Sequence, residues 1–454
     1  MRLLWGKKEL YSYCEILLAI LLYLFSPNIY VWEYNVCCGI LYVLAVIRYL
    51  SFQKKNNYLD FETIFLLSYF FCFFVYPIFL YEINPHYFSM FVYEFDHDKI
   101  TEGTALALLG GVFFLYGCES GKSRAMKCKL NNKSYKFPIR IFYIITVTCF
   151  FCFLALGGYS SFKSMYADGE GGGSGIFSYF LILFVAFYIV SITLEYYNAI
   201  ISLRNGFRAK LNKFFILFIF FASAILLIAG TRTIVLQMFL SLIGLYCLFF
   251  RPIKLLEFVL LALCGAIFFT VIAFTRKGNV VDIDSFWDIF MDLIINNRST
   301  YFALSYVDEH GISWGVTMLG YIMKPFPFLQ GIVAKIFGLD PSYLTTATLV
   351  TVETLGKGSS LGLGTNIIAD LYMAFGAWGV VIGMFVLGFY SKKSYYMAKE
   401  GSIYYMLFYT VLLSLSVYIV RSEFFYCLNI LVWAFVIVNI AIHFAKHNRR
   451  ALCK

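Results

Sequence analysis

Apolar and polar positions alternate along this chain in long blocks. Uninterrupted apolar runs of roughly 16 to 22 residues recur, the length that crosses a bilayer core as a helix. They predict helices near 11–26, 29–50, 61–80, 99–118, 141–158, 177–194, 213–229, 232–250, 255–275, 366–390, 403–420 and 424–445. The ten-residue alternating strands of a membrane barrel are absent. The expectation is therefore an all-α polytopic membrane protein of twelve transmembrane helices with one large loop. The chain divides into 1–275 with nine spans, the loop 276–365, and 366–454 with three spans and a tail.

Composition supports this class. Of 454 residues, 61% are hydrophobic and only 14% charged, more apolar surface than a soluble fold of this length can bury. Aromatics reach 20%, with Tyr at many segment ends, as interfacial belts require. The net charge of +10 then reports basic loops and not a nucleic-acid partner. The twelve cysteines lie in or beside apolar runs, so no disulfide framework braces the large loop. Cys149 and Cys152 read as one helical turn of small packing residues. The basic N-terminus followed by an apolar run imitates a signal peptide, but lacks a small-residue cleavage site and reads as a retained first helix.

Lys and Arg fall in alternate gaps. One set of gaps holds Lys54 and Lys55, the run Lys122 to Arg140, Arg204 to Lys210, Arg251 with Lys254, Lys392 with Lys393 and Lys399, and the tail Lys446, Arg449 and Arg450. Most of the other gaps hold few cations, and 81–98 is acidic. Both termini are thus expected in the cytoplasm. The large loop breaks the pattern. It is an outer segment, yet carries Arg276, Lys277, Arg298, Lys324, Lys335 and Lys357, which suits an anionic substrate. Inside it, Ile283–Ile295 has helical periodicity and is expected along the membrane surface. Met323–Phe328 reads as a rigid aromatic turn, and Gly356–Gly364 as a bend. Outside it, Gly169–Gly175 matches no phosphate-loop pattern and reads as a mobile flap.

Four arginines are expected on the outer face from separate places in sequence. Arg232 follows the Gly230-Thr231 turn between two spans; Arg276 ends the ninth span; Arg298 follows the amphipathic stretch; Arg421 sits in the last outer turn. Each alone is equally an arginine snorkelling to the interface. Together they offer planar, permanently charged forks that fit a pyrophosphate. Asp370, just inside the tenth span, is either an ion-pair partner of an arginine or a base. Glu423 is either a local partner of Arg421 or the base, and is the favoured candidate. His310, beside Asp308 and Glu309, is a third candidate or part of a solvated cluster. Asp96-His97-Asp98 has metal-ligand chemistry, with a solvated acidic loop as the plainer reading, and no metal or other cofactor is expected.

This layout resembles the Wzy family of O-antigen and enterobacterial-common-antigen polymerases. The resemblance rests on the Gly230-Thr231-Arg232 turn opening a span, Arg276 beside Lys277, Arg298, the large late outer loop, and Arg421 in the last outer turn. It implies a glycosyltransferase of the GT-C type in the bacterial inner membrane. Its substrates would be oligosaccharide repeat units on undecaprenyl pyrophosphate, joined at the periplasmic face, with a chain-length-regulating co-polymerase as partner. The arginines would hold the leaving pyrophosphate. An O-antigen ligase, a metal-dependent polyprenyl-phosphate-sugar transferase with Asp96 and Asp98 holding the ion, and a flippase are the alternatives. The strongly apolar spans disfavour transport.

Overall fold

A computed structural model describes residues 2–53, 55–93, 95–126, 137–167, 175–209, 211–275, 286–359 and 361–452. Ten helices precede the large loop: α1 (Arg2–Leu24), α2 (Trp32–Gln53), α3 (Phe61–Phe73), α4 (Lys99–Met126), α5 (Ile139–Ala155), α6 (Gly158–Ala167), α7 (Ile176–Arg204), α8 (Lys213–Ala229), α9 (Arg232–Phe249) and α10 (Leu255–Thr275). The loop adds α11 (Met291–Ile294), α12 (Arg298–His310), α13 (Leu319–Met323), α14 (Leu329–Phe337) and α15 (Thr346–Leu355). Then come α16 (Ile367–Lys399), α17 (Ile403–Ser414) and α18 (Leu428–Leu452). No strand occurs among the described residues.

Each of the twelve apolar runs forms helix over at least part of its length. Among the described residues seven helices are long and apolar enough to cross a membrane, and α5 with α6, bent by 58°, makes an eighth if the broken pair is one span. Four more apolar helices are shorter: Leu10–Leu24, Lys213–Ala229, Leu255–Phe268 and Ile403–Ser414. The protein is an all-α polytopic membrane protein.

Three expectations need correction. The segment expected as loop over 159–176 is helical as far as Ala167; the flap read at Gly169–Gly175 falls, but for Gly175, on 168–174, which lie outside the described residues. The large loop is not mainly loop. Short amphipathic helices were expected there, with periodicity visible at Ile283–Ile295, and α12 to α15 add helix well beyond that stretch. Finally, the apolar run over 403–420 stops being helical at Ser414, and 415–427 runs as irregular turns.

The central seam is α4 against α16. A Cβ at Gly117 or Gly121 of α4, or at Gly388 of α16, would run into the backbone of the opposite helix. Gly117 and Gly121 are one turn apart, the spacing by which membrane helices make backbone contact. This seam fixes α16, whose two ends carry different chemistry. Asp370 stands in its first turn, before a break at Phe375–Gly376 that sets Leu371 against Gly379 and Gly383, and Lys392 and Lys399 lie near its far end.

The basic gaps meet at that far end. Lys392 Nζ contacts Glu62 at 2.7 Å, and Lys55 Nζ contacts Asp60 at 2.6 Å. Lys122 Nζ donates to Gln53 at 2.7 Å, and Arg204 donates to the carbonyls of Lys399 and Glu400. The Ile253 N–H donates to Asn57 at 3.1 Å. The gaps that alternate in sequence therefore share one end of the bundle. A cavity of about 290 Å³ there is lined by Lys55, Asp60, Lys392 and Tyr395, but its buried cations are matched by Asp60 and Glu62.

Candidate functional site

The opposite end collects the candidate residues into two adjoining groups. The first is built on Asp292. Gly230, in the left-handed region at φ 110°, ends α8 and lets the chain reverse within two residues. The Thr231 N–H and hydroxyl both donate to Leu226 O, at 2.9 and 3.1 Å, and close the turn. Arg232 thereby begins α9, and its Nη2 stands 3.0 Å from Asp292 Oδ2. Arg421 reaches the same residue from the other side. Its Nη1 donates to Asp292 O at 2.8 Å and lies 3.9 Å from Oδ2, with the guanidinium 4.8 Å over the Tyr418 ring. The three side chains stay partly open to solvent, at 28% for Arg232, 25% for Arg421 and 42% for Asp292.

The second group is a buried carboxylate pair. Asp370 is fully buried; the Thr346 hydroxyl donates to its Oδ1 at 2.6 Å and the Phe424 N–H to its Oδ2 at 2.9 Å. Glu423, 3% exposed, accepts the Ala347 N–H at 3.3 Å and interacts with the Tyr321 phenol. Burial pushes the Glu423 carboxyl above its ordinary range, with Lys324 offsetting part of that rise. Burial also pushes the Tyr321 phenol up. Lys324 Nζ sits 4.5 Å over the Tyr321 ring.

Among the described residues Asp370 forms no ion pair with an arginine, one of the two roles its position offered, and Arg421 pairs with Asp292 and not with Glu423. A buried carboxylate needs donors, and here a hydroxyl and a backbone N–H supply them. The two groups meet through the chain itself. Arg421 and Glu423 lie two residues apart, so their Cα atoms are within roughly 7 Å.

The remaining candidates stand elsewhere. Arg298, 2% exposed, opens α12 and is held by Tyr93 O at 3.3 Å and the Thr354 hydroxyl at 3.5 Å, over the Phe95 ring. Burial lowers its guanidinium to about 10, still charged at neutral pH. Arg276 and Lys277 lie outside the described residues. His310 ends α12 in solvent, stacked on Tyr306 with ring centroids 4.4 Å apart; among the described residues no hydrogen bond or ion pair joins it to Glu423 or Asp370. In the acidic loop, Asp96 takes the Asp98 N–H at 2.9 Å and the Ser305 hydroxyl at 3.5 Å. No group of three His, Cys, Asp or Glu side chains is placed to hold a metal ion among the described residues.

Sequence reasoning missed Asp292, Tyr321 and Thr346. Asp292 stands in the stretch read as amphipathic, one of several acids with no mark of its own. Tyr321 and Thr346 carry no local signal at all.

Fold and site together define a multi-pass membrane protein with a cationic and acidic site at one end of its helix bundle. A model of the family described as O-antigen polysaccharide polymerase Wzy matches residues 12–448, nearly the whole chain, and the protein belongs to that family. Its activity is thus polysaccharide polymerisation, a glycosyl transfer. No curated protein and no solved structure matches the chain.

Proposed function

We propose that this protein joins undecaprenyl-pyrophosphate-linked oligosaccharide repeat units at the periplasmic face of the bacterial inner membrane. The end of the bundle carrying Arg232, Asp370 and Arg421 is the periplasmic one, and both termini are cytoplasmic. The gathering of the basic gaps at the other end supports this orientation. Segment 276–365 is the periplasmic loop; 1–275 and 366–454 are the membrane parts that hold it.

One observation carries the reading. The stretch from Arg421 to Phe424 turns a guanidinium toward Asp292 and Arg232, and a carboxylate toward Tyr321 and Ala347. Glycan transfer from a lipid pyrophosphate needs both chemistries side by side. The bond between the anomeric carbon of the growing chain and its pyrophosphate oxygen breaks. The acceptor hydroxyl at the non-reducing end of the incoming unit forms the new glycosidic bond and loses its proton. Arg232 and Arg421, with Arg276 as a third cation, stabilise the charge on the departing pyrophosphate. Glu423 takes the proton, and its raised affinity for protons suits a base. Asp370 positions the Arg421–Phe424 stretch through the Phe424 N–H. Arg298 acts at one remove, locking α12 to the loop before α4. The substrate is the lipid-linked glycan, the surrounding partner is the bilayer, and a co-polymerase would set chain length.

The test is lipopolysaccharide banding from a deletion strain carrying variants of the gene. Deletion should remove long chains and leave a single repeat unit on the core, and Glu423→Gln should reproduce that pattern at normal protein level. Loss of the single unit as well would assign ligation or an earlier step. Full-length chains with Glu423→Gln would exclude it as the base.

A further inference from the structure

Asp292 presents to Arg232 and Arg421 the kind of acceptor that a phosphate oxygen presents. Its Oδ2 stands 3.0 Å from one guanidinium and 3.9 Å from the other. Guanidinium forks accept carboxylate and phosphate in the same geometry. We infer that the Asp292 carboxylate is a resident anion of the pyrophosphate clamp, holding the two forks in register until the substrate's pyrophosphate displaces it. This deepens the proposed function and rests on its reading of Arg232 and Arg421.

Three features support displacement over a fixed structural pair. First, the backbone and the carboxylate are held separately. Asp292 O accepts from Arg421 Nη1 and from Asn296 Nδ2, both at 2.8 Å, so the main chain and Arg421 stay anchored when the carboxylate swings away. Second, among the described residues the two arginines are the carboxylate's partners; no hydroxyl or backbone N–H fixes it, in contrast to Asp370. Third, all three side chains reach solvent, and ion pairs so exposed are weak and exchange readily. A carboxylate in the clamp also keeps two cations from standing unscreened beside each other when no substrate is bound.

The test uses the full-length protein in nanodiscs of neutral lipid, titrated with inorganic pyrophosphate by calorimetry at fixed ionic strength. Asp292→Asn keeps shape and backbone but removes the competing charge. It should bind pyrophosphate about fivefold tighter than wild type, the size expected for releasing a partly exposed ion pair. Adding Arg232→Ala should abolish that gain. Asp292→Ser provides a second variant should the Asn form be poorly folded, and thermal unfolding monitors both. If Asp292→Asn and Asp292→Ser fold and bind pyrophosphate no tighter than wild type, Asp292 is a structural pair and the inference is overturned while the clamp stands. If neither wild type nor either variant binds pyrophosphate, the clamp itself is wrong and the inference falls with it.

Discussion

Removing the Arg421 side chain separates a clamp from a brace, because the two roles predict losses of different kinds. In Arg421→Ala the structure gives up a charged-donor hydrogen bond to Asp292 O at 2.8 Å, worth about 1.5–3 kcal/mol. It also loses a partly exposed ion pair at 3.9 Å, worth about 0–1 kcal/mol. The stacking over Tyr418 at 4.8 Å adds about 0.5–1 kcal/mol. The fold therefore weakens by roughly 2–5 kcal/mol against a usual margin of 5–15 kcal/mol, and the protein should still be present in membranes. Catalysis loses a comparable amount, but as rate per molecule. A preorganised donor aimed at a charged leaving group contributes about 10²- to 10³-fold in rate. The assay is elongation of lipid-linked repeat units by membranes normalised to protein level, with Arg421→Lys in parallel. Lysine keeps the charge but not the fork, so it should recover only part of the rate. A brace predicts the reverse: depleted protein, near-normal rate per molecule, and full rescue by Lys. If Arg421→Ala elongates at more than a third of the wild-type rate at equal level, the clamp is refuted.

Arg298→Ala should behave as the structural case: it strips a 2% exposed guanidinium from Tyr93 O and the Thr354 hydroxyl, and should lower the unfolding temperature and the membrane level together. Normal level with lost elongation would move Arg298 into the clamp. A base with a raised carboxyl pKa must shed its proton first, so elongation should fall as pH drops through a value above the ordinary Glu range, and Glu423→Gln should remove activity at every pH. The stability sign is opposite to that of a salt-bridged acid: burying charged Glu423 costs stability above its folded pKa, and the cost vanishes as pH falls below the unfolded value. An acid limb within the ordinary Glu range in wild type would count against Glu423. Gly121→Leu should push α4 off α16 and leave little folded protein in the membrane, whereas Gly265→Leu, with open space at its Cβ, should leave the level unchanged.

The spans were legible because a bilayer accepts few backbone solutions, so apolar run length alone locates them. Charge alternation likewise located the end shared by Lys55, Lys392 and Arg204. Periodicity failed at Leu415–Val420, where an apolar run is buried but not helical; composition cannot separate the two. It failed also in the large loop, where α12 and α15 pack against neighbours instead of showing long apolar stripes. The Gly117–Gly121 spacing was readable as a packing seam and was overlooked. At the site, the residue types were visible but their pairing was not. Arg421 meets a residue 129 positions earlier, and nothing local distinguishes Asp292 from Asp284 or Asp288.

The irregular stretch 415–427 explains why the acids and arginines gather where they do. Backbone that leaves the helix while buried must find partners in surrounding protein. Here Val420 O accepts the Ile367 N–H at 3.1 Å, and Asp370 Oδ2 accepts the Phe424 N–H at 2.9 Å. Arg421 spends a donor on Asp292 O, and Glu423 accepts the Ala347 N–H. The polar side chains that make the site are thus also what lets the chain stay unwound there. The two carboxylates share this load unequally. Asp370 has both oxygens engaged, at 2.6 and 2.9 Å, and no exposed surface. Glu423 accepts the Ala347 N–H at the longer distance of 3.3 Å, together with its own backbone N–H and the Tyr321 phenol, and keeps some exposed surface. Full burial behind two short donors withholds Asp370 from a substrate hydroxyl, whereas Glu423, held at a longer distance, still reaches the surface. That asymmetry, and not proximity to Arg421 alone, is the physical reason for giving Glu423 the proton and Asp370 the backbone.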